Sequence, residues 1–150
     1  MSITLDGTVN LPTANDAITV RNEYVLWQSG QQTGNDVQLF GVNGALPRAR
    51  FLAATVHTLE LVVSGTTVVS GSPSSTLGVN LETNVTYLRE TVCAPVGGTD
   101  GTRTLVLTLP SGGTVSGEVH VLNFRFGKVV ENGKWALATL DISIPGGELS

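Results

Sequence analysis

Residues 102–145 read TRTLVLTL, PSGG, TVSGEVHVLNFRFGKVV, ENGK and WALATLDISIP, and this stretch decides the fold. Three β-rich runs are separated by short Gly/Asn turns, too short for the crossover that a parallel pair needs, so they form an antiparallel meander. Leu105, Leu107 and Leu109 alternate with Thr104, Val106 and Thr108, which gives the first run one apolar face. In the last run Ala138, Leu140, Ile142 and Ile144 share a face, with Thr139, Asp141 and Ser143 opposite. The middle run changes phase. Val115, Val119 and Val121 have one parity, while Leu122, Phe124 and Phe126 have the other, which predicts a β-bulge or a strand passing between packing partners.

Working outward, residues 51–63 (FLAATVHTLELVV) are the longest apolar run of the first half, and neither parity is cleanly polar. Such a strand is either central or covered on its second face by another subunit. A Ser/Gly loop follows, and then Leu77, Leu81, Val85, Leu88 and Val92 step by four, four, three and four. That is a helical stripe, and it predicts one helix over residues 80–92, capped by Asn80 or Ser75 and ended by Ala94-Pro95. PVGGTDGT reads as a turn into the meander, and IPGGELS as a loose tail.

Towards the start, residues 1–16 read as an extended arm with one short strand. Ile18, Val20, Val25 and Trp27 are the core candidates of a β-rich segment at 17–27. QSGQQTGND (residues 28–36) is a polar loop longer than a hairpin requires, of the kind that is often functional. Residues 37–40 read as a short strand, residues 42–45 as a turn, and Arg48 and Arg50 project together from an extended segment. The expected architecture is a mainly β single domain over residues 1–150: an antiparallel β-sandwich or part-open barrel with one packed α-helix.

Composition supports this and narrows function. The chain has 150 residues, about one domain. Its net charge of -4 argues against a nucleic-acid reader. A lone cysteine, Cys93, rules out an internal disulfide. Met1 is followed by no basic or apolar leader, so no signal peptide is expected, and no apolar run approaches the roughly 18 residues of a membrane helix. His57 and His120 lie mid-strand without a serine-carboxylate context, so no triad is expected. His57, His120 and Cys93 lack zinc-ligand spacing, no phosphate-loop fingerprint is present, and the acids are scattered singly. No catalytic residue, cofactor or metal is expected. Asp141 reads as structurally paired with Arg103 or Arg125, and the Asn84-Val85-Thr86 sequon falls inside the predicted helix and is not expected to be used.

The order of segments carries a resemblance. A polar arm and long loop precede a Pro-Arg approach into Thr55-Val56-His57-Thr58-Leu59-Glu60-Leu61-Val62-Val63-Ser64-Gly65. A Ser/Gly loop, the helix NLETNVTYLRETV and a meander ending in Ile-Pro-Gly-Gly follow. This resembles the tail proteins of phages with long non-contractile tails, in particular the tube-like domain of distal tail proteins and their tube relatives. Residues 1–150 are expected to match the tube-like domain alone, without the second, carbohydrate-binding-like domain of larger distal tail proteins. The resemblance implies a virion structural protein, made in the host cytoplasm, that forms a hexameric ring. In it, sheets of adjacent subunits join around a channel that passes DNA without specific binding, and other tail proteins are the further partners. Under it, Gln31, Gln32, Asn35, Asp36, Arg48 and Arg50, with the arm, become candidate contacts between subunits or rings. The competing reading is a solvated loop and a surface arginine pair. The alternative function is a non-catalytic glycan-binding or adhesin module, and a small enzyme is the third.

Overall fold

A computed structural model describes residues 3–28, 32–33, 37–38, 45–46, 51–52, 54–93 and 102–150. The strands are β1 (Ile3–Leu5), β2 (Val9–Leu11), β3 (Ile18–Val20), β4 (Gln32–Thr33), β5 (Val37–Gln38), β6 (Ala45–Leu46), β7 (Phe51–Leu52) and β8 (Thr55–Ser64). Helix α1 (Leu77–Tyr87) continues into a π-helical turn, Leu88–Val92, before β9 (Thr102–Thr108), β10 (Thr114–Val130) and β11 (Trp135–Ile144). Seven strands form one sheet in the order β2-β1-β9-β10-β11-β8-β3, antiparallel at every pairing. β4 pairs with β7 and β5 with β6 in two small ribbons.

β10 explains the sheet's shape. Its residues 114–120 pair with β9, and its residues 120–130 with β11, with register shifts between Val121 and Asn123 and between Phe126 and Val129. Both readings of the phase change hold at once: a bulge, and a change of partner. The sheet curls around a core shared by Ile3, Leu5, Leu105 and Leu107 on one side and Leu59, Leu61, Leu140 and Ile142 on the other. It does not close. Between its two outermost strands stands Thr13, whose N–H donates to Ile18 O and whose Oγ1 accepts from Ile18 N–H.

Several expectations change. Residues 3–11 are no free arm: they form a hairpin whose Ile3, Leu5, Val9 and Leu11 are buried. After β3 the chain turns through a 3-10 helix, Glu23–Leu26, so Trp27 leaves the core and is 52% exposed. The tail is not loose. Ser116 and Ser150 exchange backbone hydrogen bonds, and Leu149 is buried. The apolar run at 51–63 splits into β7 and β8, and β8 buries Leu59, Leu61 and Val63 while Val56, Thr58 and Glu60 stay exposed. Residues 42–44 of the turn expected at 42–45, and the turn expected around 94–101, lie outside the described residues, while Ala45 begins β6.

The helix begins at Leu77, three residues earlier than expected, behind Thr76, and no side chain caps it. Asn80 and Asn84 instead lie inside it, buried and one turn apart. Asn80 donates to Gly65 O and Ser74 O and accepts from Ser74 N–H; Asn84 donates to Ser64 O and Thr67 O and accepts from Val69 N–H. The Ser/Gly loop is thereby fastened to α1 through its main chain, and Asn84 is closed to glycosylation. At the other end Arg103, a buried residue of β9, donates to Thr91 O and Val92 O, the orphan carbonyls of the π turn, and pairs with Asp6 at 2.8 Å. Asn84→Ala strands the loop's buried main-chain groups, so chemical denaturation is expected to show a loss of about 2–3 kcal/mol, with Asn84→Asp no better.

Candidate assembly margin

The direction of main-chain groups along the sheet locates its open margin. Gly65 N–H donates to Lys134 O, so by antiparallel alternation Ala136, Ala138 and Leu140 turn their amide and carbonyl groups to β8. Thr139 and Asp141 turn theirs to Arg125 and Asn123 of β10. Phe124 and Phe126 must then direct theirs away from β11, on the side that β9 occupied earlier along the strand. Among the described residues β9 ends at the pair His120–Thr102, and no strand takes its place.

Side chains follow the same geometry. Phe126 opposes Ala138 and Val129 opposes Ala136, so both lie on the core face of the sheet. Yet Phe126 is 45% exposed and Val129 47%, and Leu122 at the bulge is 50% exposed. The core face of β10 runs beyond the layer that covers it. Beside it lies a cleft of about 500 Å³, walled by Leu81, Glu82, Val85 and Arg89 of the helical segment and by Phe126 and Val129 of β10. An open strand margin with an apolar flank is the arrangement that accepts another strand.

The opposite end of the sheet is stepped. β3 pairs only with the Leu61–Val63 portion of β8; beyond it Asn22 Nδ2 donates to Thr58 O, and Glu60 N–H donates to Asn22 Oδ1. Past Asn22, Val56 is 60% exposed. The outer face of the sheet is polar and internally balanced. Thr58 Oγ1 donates to Asp141 at 2.7 Å, and Arg125 donates to the same carboxylate at 3.2 Å. Of the two arginines expected beside Asp141, it is Arg125 that pairs, while Arg103 goes to Asp6.

Among the described residues no group of three His, Cys, Asp or Glu side chains could hold a metal ion, and no helix is long and apolar enough to cross a membrane. Burial lowers the pKa of His57, whose Nε2 has no partner, and pushes the Cys93 thiol up to about 11. Of the candidate contacts from sequence, Gln32 lies in β4, paired with Leu52, while Gln31, Asn35, Asp36, Arg48 and Arg50 lie outside the described residues. The β10 margin carries none of them. Leu122, Phe124 and Phe126 were visible only as a phase change, which signals a bulge without saying that the flank beyond it is bare.

Comparison of the whole structure adds a relative in shape. The chain superposes on the crystal structure of the SPP1 Dit (gp 19.1) protein, described as a paradigm of the hub adsorption apparatus in phages infecting Gram-positive bacteria, with a TM-score of 0.52 and 14% identity. What the two share is a fold. The likeness covers 97% of this chain but 50% of the SPP1 Dit chain, so this chain spans about half of that protein's length. No family model and no curated protein sequence matches.

The carboxyl of Asp141 is held below its ordinary value of 3.8 by the Thr58 hydrogen bond first and by Arg125 and Asn123 as well, against the opposing effect of burial. A depressed folded pKa contributes stability that is present above the ordinary value and lost as pH falls through the folded one. Urea titrations are therefore expected to show stability dropping below about pH 4, and Asp141→Asn to flatten that drop while lowering stability at pH 7.

Proposed function

We propose that this chain is a structural protein of a phage tail, a distal or tube component that assembles through its sheet into a ring, of six copies, around the channel that passes DNA. The observation that carries the reading is the β10 margin, where among the described residues no strand pairs beyond His120 on the β9 side and Phe126 and Val129 stay exposed. A lone subunit leaves Phe126 and Val129 in water, and a neighbour's strand would cover them. The shared fold with SPP1 Dit supports the tail setting. The outer face suits a lumen, because Thr58, Thr139, Glu60 and the Arg125–Asp141 pair offer no basic field to trap phosphates. Other tail proteins would stack on the ring, and the loop candidates Gln31, Gln32, Asn35, Asp36, Arg48 and Arg50 remain available for that.

One observation favours the second reading, a glycan-binding module. Trp27 is 52% and Tyr24 40% exposed, and a small cleft of about 210 Å³ joins Trp27 and Gln28 to Glu148. Aromatic platforms beside a carboxylate suit sugars.

Native mass spectrometry separates the two. The ring reading expects a species of about six times the 15.6 kDa chain mass, growing with concentration. Persistent monomer with saturable glycan binding that is lost in Trp27→Ala would replace it with the second.

A further inference from the structure

The outer face of the sheet is polar and paired at one end only. Thr58, Asp141 and Arg125 satisfy one another there, and Asp141 lies six residues along β11 from Trp135, roughly 20 Å at the rise of a strand. At the Trp135 end the pairing stops. Trp135 opposes Ser64 and Thr19 opposes Val62, so all four side chains share the outer face, while Ile18, Leu61 and Val63 point inward. Together with Asp16 and Arg21 they wall a shallow cleft of about 470 Å³. On the other side of Asp16 a second cleft, of about 390 Å³, runs past Asn15 and Pro73. Both volumes fall within the roughly 300–1,000 Å³ of small-ligand sites.

The side chains around these clefts hold unspent hydrogen-bonding capacity. Among the described residues neither Asp16 nor Arg21 makes a side-chain hydrogen bond or an ion pair, and the indole N–H of half-buried Trp135 has no protein partner. Asp16 is fixed by its backbone. It ends the 3-10 turn Ala14–Asp16, where its N–H donates to Thr13 O, and Asn15 Nδ2 ties the turn to Val68 O. Asn15 and Asp16 both hold a left-handed φ, 59° and 52°, a conformation that costs non-glycine residues energy and clusters at ligand sites. Arg21 only donates, Asp16 only accepts, and Thr19 and Asn15 do both. A ligand that uses them must carry groups of both kinds beside an apolar face for the indole. The hydroxyls and ring face of a pyranose meet that description, and the opposed charges of Asp16 and Arg21 favour no net charge on the ligand.

We propose that the two clefts, joined across Asp16, are adjacent subsites for a neutral oligosaccharide, with one ring stacked on Trp135 and its hydroxyls shared between Asp16 and Arg21. All these residues belong to one subunit, so the site stands whether or not copies form a ring. It is also separate from the Trp27 cleft, which is lined by Gln28, Glu148 and Leu149.

The chain has two tryptophans, so Trp27→Phe leaves Trp135 as the sole indole reporter without touching either cleft. Chitotriose, cellotriose and maltotriose are titrated into that variant and followed by fluorescence, with trigalacturonate as the acidic counterpart. A saturable change in Trp135 emission with a neutral trisaccharide is expected. Adding Asp16→Asn or Arg21→Gln is expected to weaken binding about tenfold, the loss of one charge-assisted hydrogen bond. Asn tolerates the left-handed backbone at position 16 and Arg21 is exposed, so both variants fold. No saturable change with any neutral sugar up to about 10 mM removes the site. Tighter binding of trigalacturonate overturns the ligand class. Affinity unchanged in both Asp16→Asn and Arg21→Gln places the sugar elsewhere, and a response kept in Trp135→Phe but lost in Trp27→Phe assigns it to the Trp27 cleft. Native mass spectra of the same samples read the ring separately, and a monomeric chain that binds leaves this inference standing.

Discussion

A strand 17 residues long cannot keep one face inward while it serves two partners, unless its alternation is broken once. β10 meets that constraint at Leu122. Before it, Val119 faces the core beside β9; after it, Phe124 and Phe126 do so beside β11. The joining of the sheet's two halves around one core follows from this shift, and a second shift between Phe126 and Val129 interrupts the pairing with β11 again. The exposed Leu122 follows from the first shift, sitting where two residues of β10 must share one opposite number.

Among the described residues the same strand is bordered on both sides along one half and on one side along the other. Along its first half both margins are filled, by β9 and by the bonded pair Ser116–Ser150. Along its second half one margin is filled by β11, and Gly127 lets the backbones approach closely there, since a Cβ would lie 2.8 Å from Leu137 O. The other margin faces the cleft beside α1. The exposed flank at Phe126 and Val129 is thus an extension of the core face, unlike the polar loop of residues 28–36 in the sequence. That loop holds donors and a charge without apolar anchors, which is why its composition could not rank it.

The sequence made the meander, its faces, the helix and the mainly β class legible because each rests on local periodicity. Alternation at 104–109 and 138–144 survived intact, and the step of four, four, three and four marked Leu81, Leu88 and Val92, all buried. What it hid depends on distant partners. Val9 and Leu11 look like part of a polar arm until β1 finds β9, and Trp27 looks like core until the 3-10 turn before it rotates the chain outward. The two-sided apolar character of β8 came from Val56 and Val62, one bare and one half-covered, and no spacing rule tells a bare valine from a buried one. Arg103 and Arg125 were equally placed for Asp141 on paper. Asp6, 97 positions away from Arg103 in the chain, decided between them.

Asn80 and Asn84 grip only peptide groups of the loop between β8 and α1, never its side chains. Exposed Ser70, Ser72 and Ser75 can therefore be exchanged without loosening that grip, while Gly71 at φ 84° and Ser74, which accepts from Thr76 N–H, keep the turn. The segment is a place where the molecule can vary its outward chemistry, or carry a grafted epitope, on an unchanged frame.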